Sequence, residues 1–278
     1  TAVGNIYDHL EGVQLPAPKK IHATVEKPLA TTVQQAQTMA ALAKQHHIHL
    51  LTNNETTWYA TTQKAYQMLE DAKIGAVRKI MVNDGHKGPK RINVDPEFLE
   101  WLTDPVLNGG GAVTDFGCYG ANLITWLMKG EKPVSVTALL QQQQRENNPE
   151  VDDEAIILLD YGKTAGIIQA SWNWPIGRKD MEIFGLNGVI YAKNRSDLSL
   201  RISEGYSDYS EEVFTLEERS APYHDPFVYF AAVIRGEVQD TPYNLSSLEN
   251  NLIVVQILDA AQKSARTGKK VYLEKKSE

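Results

Sequence analysis

The chain has 278 residues, 42% apolar and 23% charged, the balance of a folded globular protein of one large domain or one and a half smaller ones. A net charge of −7 and a pI of about 5.6 lack the basic footprint that nucleic acid or an anionic membrane requires as partner, and no run approaches the roughly 18 apolar residues of a membrane span. Cys118 is the single cysteine, so no intrachain disulfide forms and a reducing, cytoplasmic compartment is favoured. No signal-peptide pattern is present, although the chain opens abruptly at Thr1 and a preceding segment could have carried one.

Residues 1–53 read as β-α-β-α-β. Thr1 to Val3 ends a strand, Ile6 to Leu15 is a short helix stopped by Pro16 and Pro18, and Lys20 to Val25 is a strand ending at Glu26. Thr32 and Gln35 form a capping box before the helical spacing of Val33, Ala36, Ala40 and Ala43, and Ile48 to Leu51 is a third strand. Such alternation implies a parallel sheet with right-handed crossovers. Thr57 to Glu70 reads as a helix, Val77 to Asn83 as a strand, and Asp84 to Asp95 as a loop. A glycine-rich turn, Leu107 to Gly111, precedes a helix from Ala112 to Lys129 that stops at Gly130.

From Pro133 the chain turns β-rich. Strands are predicted at Val134–Leu140, Ala155–Leu159 and Thr164–Trp174, the last with Ile168, Ala170 and Trp172 on one face and Ile167, Gln169, Ser171 and Asn173 on the other. Asn187-Gly188 predicts a type I′ hairpin between Met181–Leu186 and Val189–Ala192. Further strands fall at Leu198–Ile202 and Glu211–Leu216. A capping box at Ser246 to Glu249 opens a helix ending at Gly268, and Val271–Glu274 is a last short strand. The expected architecture is a short parallel α/β piece over residues 1–53, then over 54–278 an α/β domain whose open antiparallel sheet is covered by helices on one face.

Two segments carry the chemistry. Glu26-Lys27-Pro28 places an ammonium at the carboxyl end of a parallel strand, where open α/β sheets bind ligands. Gly109-Gly110-Gly111 leads into a helix bearing Asp115, Tyr119 and Asn122, spaced to share one helical face. A cation, a titratable hydroxyl and fixed acceptors suit proton transfer coupled to hydride transfer. Tyr119 would be the acid/base. Lowering its phenol from near 10 by about two units requires about 2.7 kcal/mol, which a nearby ammonium can help to supply. Asp115 accepts a hydrogen bond from a substrate hydroxyl, orients a neighbour, or caps its helix. His86 and Lys87 follow a strand and stand as substrate contacts with Asn122, Trp174 and Arg178; Trp101 and His224 are further pocket candidates. His46-His47-x-His49 lacks an acidic or cysteine partner and reads as a solvated helix end, so no metal site is assigned.

These segments resemble the glucose–fructose oxidoreductase / inositol dehydrogenase / MocA (Gfo/Idh/MocA) family. Glu26-Lys27-Pro28-Leu29-Ala30 resembles its Glu-Lys-Pro motif, His9 falls where the family usually has a histidine, and Gly109-Gly110-Gly111-x3-Asp115-x-Gly117-x-Tyr119-x2-Asn122 resembles its second motif in the tyrosine-containing form. The resemblance implies an NAD(P)-dependent oxidoreductase acting on a sugar, cyclitol or similar polyol, with Asn5, His9, Glu26, Lys27 and Pro28 toward the cofactor, and a homodimer or homotetramer pairing through the sheet. The family's N-terminal Gly-x-Gly-x-x-Gly turn is not found, so the chain resembles a member lacking its first Rossmann strands, and NAD cannot be told from NADP. A redox-assisted, NAD-dependent glycosidase and a non-catalytic sugar-binding or regulatory protein remain as alternatives.

Overall fold

A computed structural model describes residues 4–274; the predicted strand at Thr1–Val3 lies outside them. After a 3-10 turn at Ile6–Asp8 come α1 (His9–Gln14), β1 (Ala23–Glu26), α2 (Val33–His46) and β2 (Leu50–Asn53). Strands β1 and β2 pair in parallel, Glu26 beside Asn53. Half of the expected capping box forms: Thr32 accepts the Gln35 N–H at 3.2 Å, while the Gln35 side chain meets the Thr31 hydroxyl and the Tyr7 carbonyl instead. A further 3-10 turn, Glu55–Trp58, delays the next helix, α3, to Ala60–Glu70.

Then follow β3 (Val77–Gly85), α4 (Pro96–Leu102), α5 (Ala112–Asp115), α6 (Gly117–Leu127), β4 (Ser135–Gln141), β5 (Glu154–Asp160), β6 (Ala165–Ser171), β7 (Arg178–Gly185), β8 (Gly188–Ala192), β9 (Asp197–Ser203), β10 (Tyr209–Thr215), α7 (Pro226–Ile234), α8 (Leu248–Thr267) and β11 (Val271–Tyr272). The nine strands from β3 onward make one sheet in the order β10-β9-β8-β7-β3-β6-β5-β4-β11. It is mixed rather than antiparallel. β3, which precedes the β-rich half in sequence, enters its centre and runs parallel to β6 and antiparallel to β7.

The larger core lies between one face of this sheet and α5, α6 and α8. Ile157, Ile168, Ala170 and Trp172 are fully buried there, each large side chain worth about 1.5–3 kcal/mol of burial. Helix α6 approaches β6 closely because Gly120 has no side chain; a Cβ there would run into Ile168. A second core joins α1, α2, β1 and β2 to Val255 of α8, so one helix packs against both sheets. The other face of the large sheet stays open, with Leu139, Ile156 and Leu158 at 52, 37 and 47% exposure.

Several local expectations give way to tertiary contacts. The Ala112–Lys129 helix is broken at Phe116, although it ends as expected, Gly130 donating to the Thr125 carbonyl in a left-handed turn. The β7–β8 hairpin exists, but Asn187 and Gly188 are not among the positive-φ residues, so its turn is not type I′. Leu186 and Asn187 donate instead to Ala76 and Ile74, which dictates the loop. Ser247, not Ser246, caps α8, accepting from the Asn250 N–H. Asp84 and Gly85, expected in a loop, are the last two residues of β3.

Candidate active site

The carboxyl end of β1 delivers Lys27 to the break between α5 and α6. Its Nζ donates to the Asp115 backbone carbonyl at 2.7 Å and to Asp115 Oδ1 at 2.5 Å. The two side chains are 18% and 10% exposed. Asp115 is fixed from a second direction, its Oδ2 accepting the Trp172 indole N–H at 3.0 Å. Breaking the helix after Asp115 frees its carbonyl for the lysine. Nearby, the buried Asp152 carboxylate accepts the backbone N–H groups of Gly111 and Val113 at 2.9 and 2.7 Å, anchoring the start of α5.

Over the Tyr119 ring stand two ammonium groups, Lys27 Nζ at 4.9 Å and Lys179 Nζ at 4.4 Å from its centroid, both within cation–π range. Lys179 donates to Glu55 Oε2 at 2.5 Å, and Glu55 Oε1 accepts the Tyr59 hydroxyl at 2.8 Å. His86 stacks edge-on against Phe116 with centroids 4.9 Å apart.

Burial is the largest influence on Lys27, Asp115, Tyr119 and Cys118. It pulls Lys27 down, but Asp115 more than offsets it, with Tyr119 and Cys118 adding, and the ammonium is held well above the usual lysine range. Burial pushes Asp115 up; Lys27 and the Trp172 N–H outweigh it and hold the carboxyl low. The pair is thus ionised. For Tyr119 burial prevails: the phenol is pushed well above its ordinary value despite Lys27, with Cys118, Asp84 and Asp115 adding to the rise. Lys27 by itself does not lower the phenol, because the ring is 5% exposed and carboxylates stand beside the lysines. Cys118, fully buried, is pushed up to about 12, chiefly by burial.

The remaining candidates separate. His9 is 1% exposed, its Nδ1 facing the Leu29 carbonyl at 3.2 Å while Nε2 has no partner. Asn5 caps the first turn through Asp8, and the Glu26 carboxylate accepts from Asn53 at 2.8 Å. Asn122 does not share the site: it is fully buried and donates to the Leu245 carbonyl and Asn251 Oδ1 at the start of α8. The helix break puts it out of phase with Asp115. Lys87 is exposed. Arg178 pairs with Asp180 at 2.8 Å and lies 5.4 Å from the Trp174 ring, forming a rim pair. Trp101 packs on Phe98 and the Nδ1 of His224 is buried without a partner, neither joined to the lysine cluster by any contact.

Sequence reasoning missed Glu55, Tyr59, Asp84 and Lys179. The Glu55–Tyr59 spacing of four was a usable signal. Lys179 and Asp84 meet only because β7 pairs with β3, a non-local register no local pattern reveals. Trp172, read as core, is core and also holds Asp115.

Comparison with known proteins follows the same lines. Residues 62–191 match the GFO/IDH/MocA C-terminal domain. The D-xylose 1-dehydrogenase [NADP(+)] of Haloarcula marismortui is 23% identical over 275 residues, covering 96% of this chain and 72% of the relative. Trans-1,2-dihydrobenzene-1,2-diol dehydrogenase of Xenopus laevis is 29% identical over 165 residues, 59% of this chain; the chain matches about half of that relative's length, 46%. An inositol dehydrogenase homologue from Azotobacter vinelandii, solved with NAD+, shares the fold at a TM-score of 0.82 and 17% identity, covering 98% of this chain and 77% of that one. With its lysine-bearing strand end and tyrosine-bearing helix in one site, the chain is similar to these oxidoreductases, and its residues 62–191 match the C-terminal domain of the Gfo/Idh/MocA family.

Proposed function

We propose that the protein is an NAD(P)-dependent oxidoreductase that moves a hydride between nicotinamide and a secondary alcohol or carbonyl of a sugar, cyclitol or related polyol. One observation carries the reading: Lys27, at a parallel strand's carboxyl end, is locked by Asp115 against the face of Tyr119. Tyr119 is the acid/base, exchanging a proton with the substrate hydroxyl oxygen. Lys27 keeps positive charge where an alkoxide develops, and Asp115 with Trp172 sets the lysine's position. Lys179, tied to Glu55, supplies a second cation at the same ring.

The residues at this end fit a nicotinamide nucleotide. Lys27 and Pro28 follow β1 directly, and the buried, unpartnered His9 Nε2 lies beside the Leu29 segment. When bound, the nucleotide supplies the hydride acceptor or donor. Arg178 and Trp174 on the rim present a cation and a flat face for a polyol. The open face bearing Leu139, Ile156 and Leu158 is the surface through which we place pairing of two copies.

The test is an absorbance assay at 340 nm on the full-length protein with D-xylose, D-glucose and myo-inositol, each with NAD+ and NADP+. Reduction of a nucleotide by at least one polyol is expected. Bound nucleotide with glycoside cleavage and no net reduction would replace this reading by redox-assisted glycosidase activity. Sugar binding with no nucleotide binding would replace it by a binding protein.

A further inference from the structure

Asp84 is a carboxylate in a place that local structure reserves for apolar side chains. It alternates along β3 with Ile80 and Val82, which are 1 and 2% exposed, and is itself 1% exposed. Neither carboxylate oxygen has a hydrogen-bond partner. Its neighbour Asn83, on the opposite face, is fully engaged with Asp180 and Gln169. Buried polar groups are nearly always satisfied, so two orphan oxygens on one carboxyl require an explanation.

The surroundings supply one. β3 pairs with β7 so that Asp84 lies directly opposite Lys179. Asp84 also lines a small cavity with Thr56, Tyr59, Thr62 and Lys179, and the Thr56 hydroxyl is likewise buried without a partner. Titratable groups surround the carboxyl from several elements: Lys27 after β1, Glu55 and Tyr59 before α3, Asp115 on α5, Cys118 and Tyr119 on α6, and Lys179 and Asp180 on β7; β6 contributes only Ala170. Lys27 is in direct contact with Asp115 and Lys179 with Glu55, whose exposed carboxylate also faces Arg195 at 3.9 Å. An ionised Asp84 would be a buried charge with no partner in direct contact.

We propose that Asp84 is a buried proton-holding residue of this site, neutral in the resting protein and ionised when a further positive charge enters beside Lys27. It is a positioning residue, acting through the charge of the cluster. Resting on the dehydrogenase reading, the inference identifies the entering charge as the oxidised nicotinamide ring. On its arrival the Asp84 O–H bond breaks, the proton leaves through the cavity to solvent, and the carboxylate balances the ring; with the neutral, reduced ring the proton is retained. Burial holds the carboxyl well above the usual aspartate range against the opposing Lys179 and Lys27, with Asp115 and Glu55 adding to the rise.

Infrared difference spectra of the full-length protein against Asp84→Asn test this. At pH 6, where an ordinary aspartate keeps only about one proton in a hundred, a protonated-carboxyl stretch is expected in the native-minus-variant difference, from which the Asp152 carboxyl, common to both proteins, cancels. That band should disappear on adding saturating NAD+ or NADP+ and persist with NADH or NADPH. Absence of the band, its survival in Asp84→Asn, or its indifference to the oxidised nucleotides would each overturn the proposal. Should neither nucleotide quench the protein's tryptophan fluorescence, the dehydrogenase reading fails. The pH titration of the band, which needs no ligand, still decides whether Asp84 holds a proton.

Discussion

Replacing Lys27 by methionine isolates the ion pair at the centre of the site. Methionine keeps most of the stem's volume and removes the ammonium, leaving Asp115 10% exposed with only the Trp172 N–H on its carboxylate. Breaking a buried pair from one side costs about 3–5 kcal/mol. In the native protein the Asp115 carboxyl is held low, so its contribution is present above the unfolded-state value and lost as pH falls through the folded one. Without Lys27, burial dominates and the carboxyl shifts upward; the folded variant then takes up a proton at a pH where the unfolded chain does not. The loss should therefore be largest near pH 8 and shrink toward pH 5. Urea unfolding at both values reads it directly, and at roughly 2–4 °C per kcal/mol a loss of about 3 kcal/mol lowers Tm by about 6–12 °C. Lys27→Met/Asp115→Asn should recover much of the loss at pH 8. A loss below about 1 kcal/mol, or one independent of pH, would refute the buried pair.

Other perturbations read neighbouring parts of the argument. Asp152, pushed up to about 6 chiefly by burial, binds its proton more tightly folded than unfolded, so its contribution weakens as pH rises through that value; the stability gap between Asp152→Asn and native protein should move in the variant's favour from pH 5 to pH 8, as followed by thermal melts. Gly111→Ala should cost more than about 2 kcal/mol or abolish soluble expression, since a Cβ would meet the Asp152 carbonyl; urea midpoints measure it. Leu158→Asp on the open face should convert a dimer to a monomer by light scattering with Tm changed by less than about 3 °C; an unchanged oligomer would remove that face as the pairing surface.

How much of this was legible in sequence depends on the range of the interactions. The Thr32–Gln35 cap, the strand end at Glu26 and the Gly130 and Gly268 stops were readable because their partners lie within a few residues. Ile168, Ala170 and Trp172 were readable as a buried face because a strand's period is local. The helix break at Phe116 was not, because the Asp115 carbonyl is claimed by Lys27 from 88 residues away. Nor was the turn at Asn187-Gly188, whose backbone answers to Ile74 and Ala76. Helices α4 and α7 were missed although Asp95-Pro96 and Asp225-Pro226 each place a capping aspartate before proline. At the site, Lys27, Asp115 and Tyr119 were named from two motifs. Asp84 and Lys179 required the β3–β7 register, which follows only from folding the whole sheet.

The central claim is that Tyr119 moves the proton while Lys27 and Asp115 hold its surroundings. The direct measurement is the turnover of Tyr119→Phe in the full-length protein, with whichever polyol and nucleotide support the native reaction, alongside its urea midpoint. Loss of the phenol oxygen should reduce kcat at least about a hundredfold, the scale of acid/base catalysis, while the buried ring keeps its packing and the midpoint moves little. Turnover within a few fold of native, in a variant equally stable, would contradict the account.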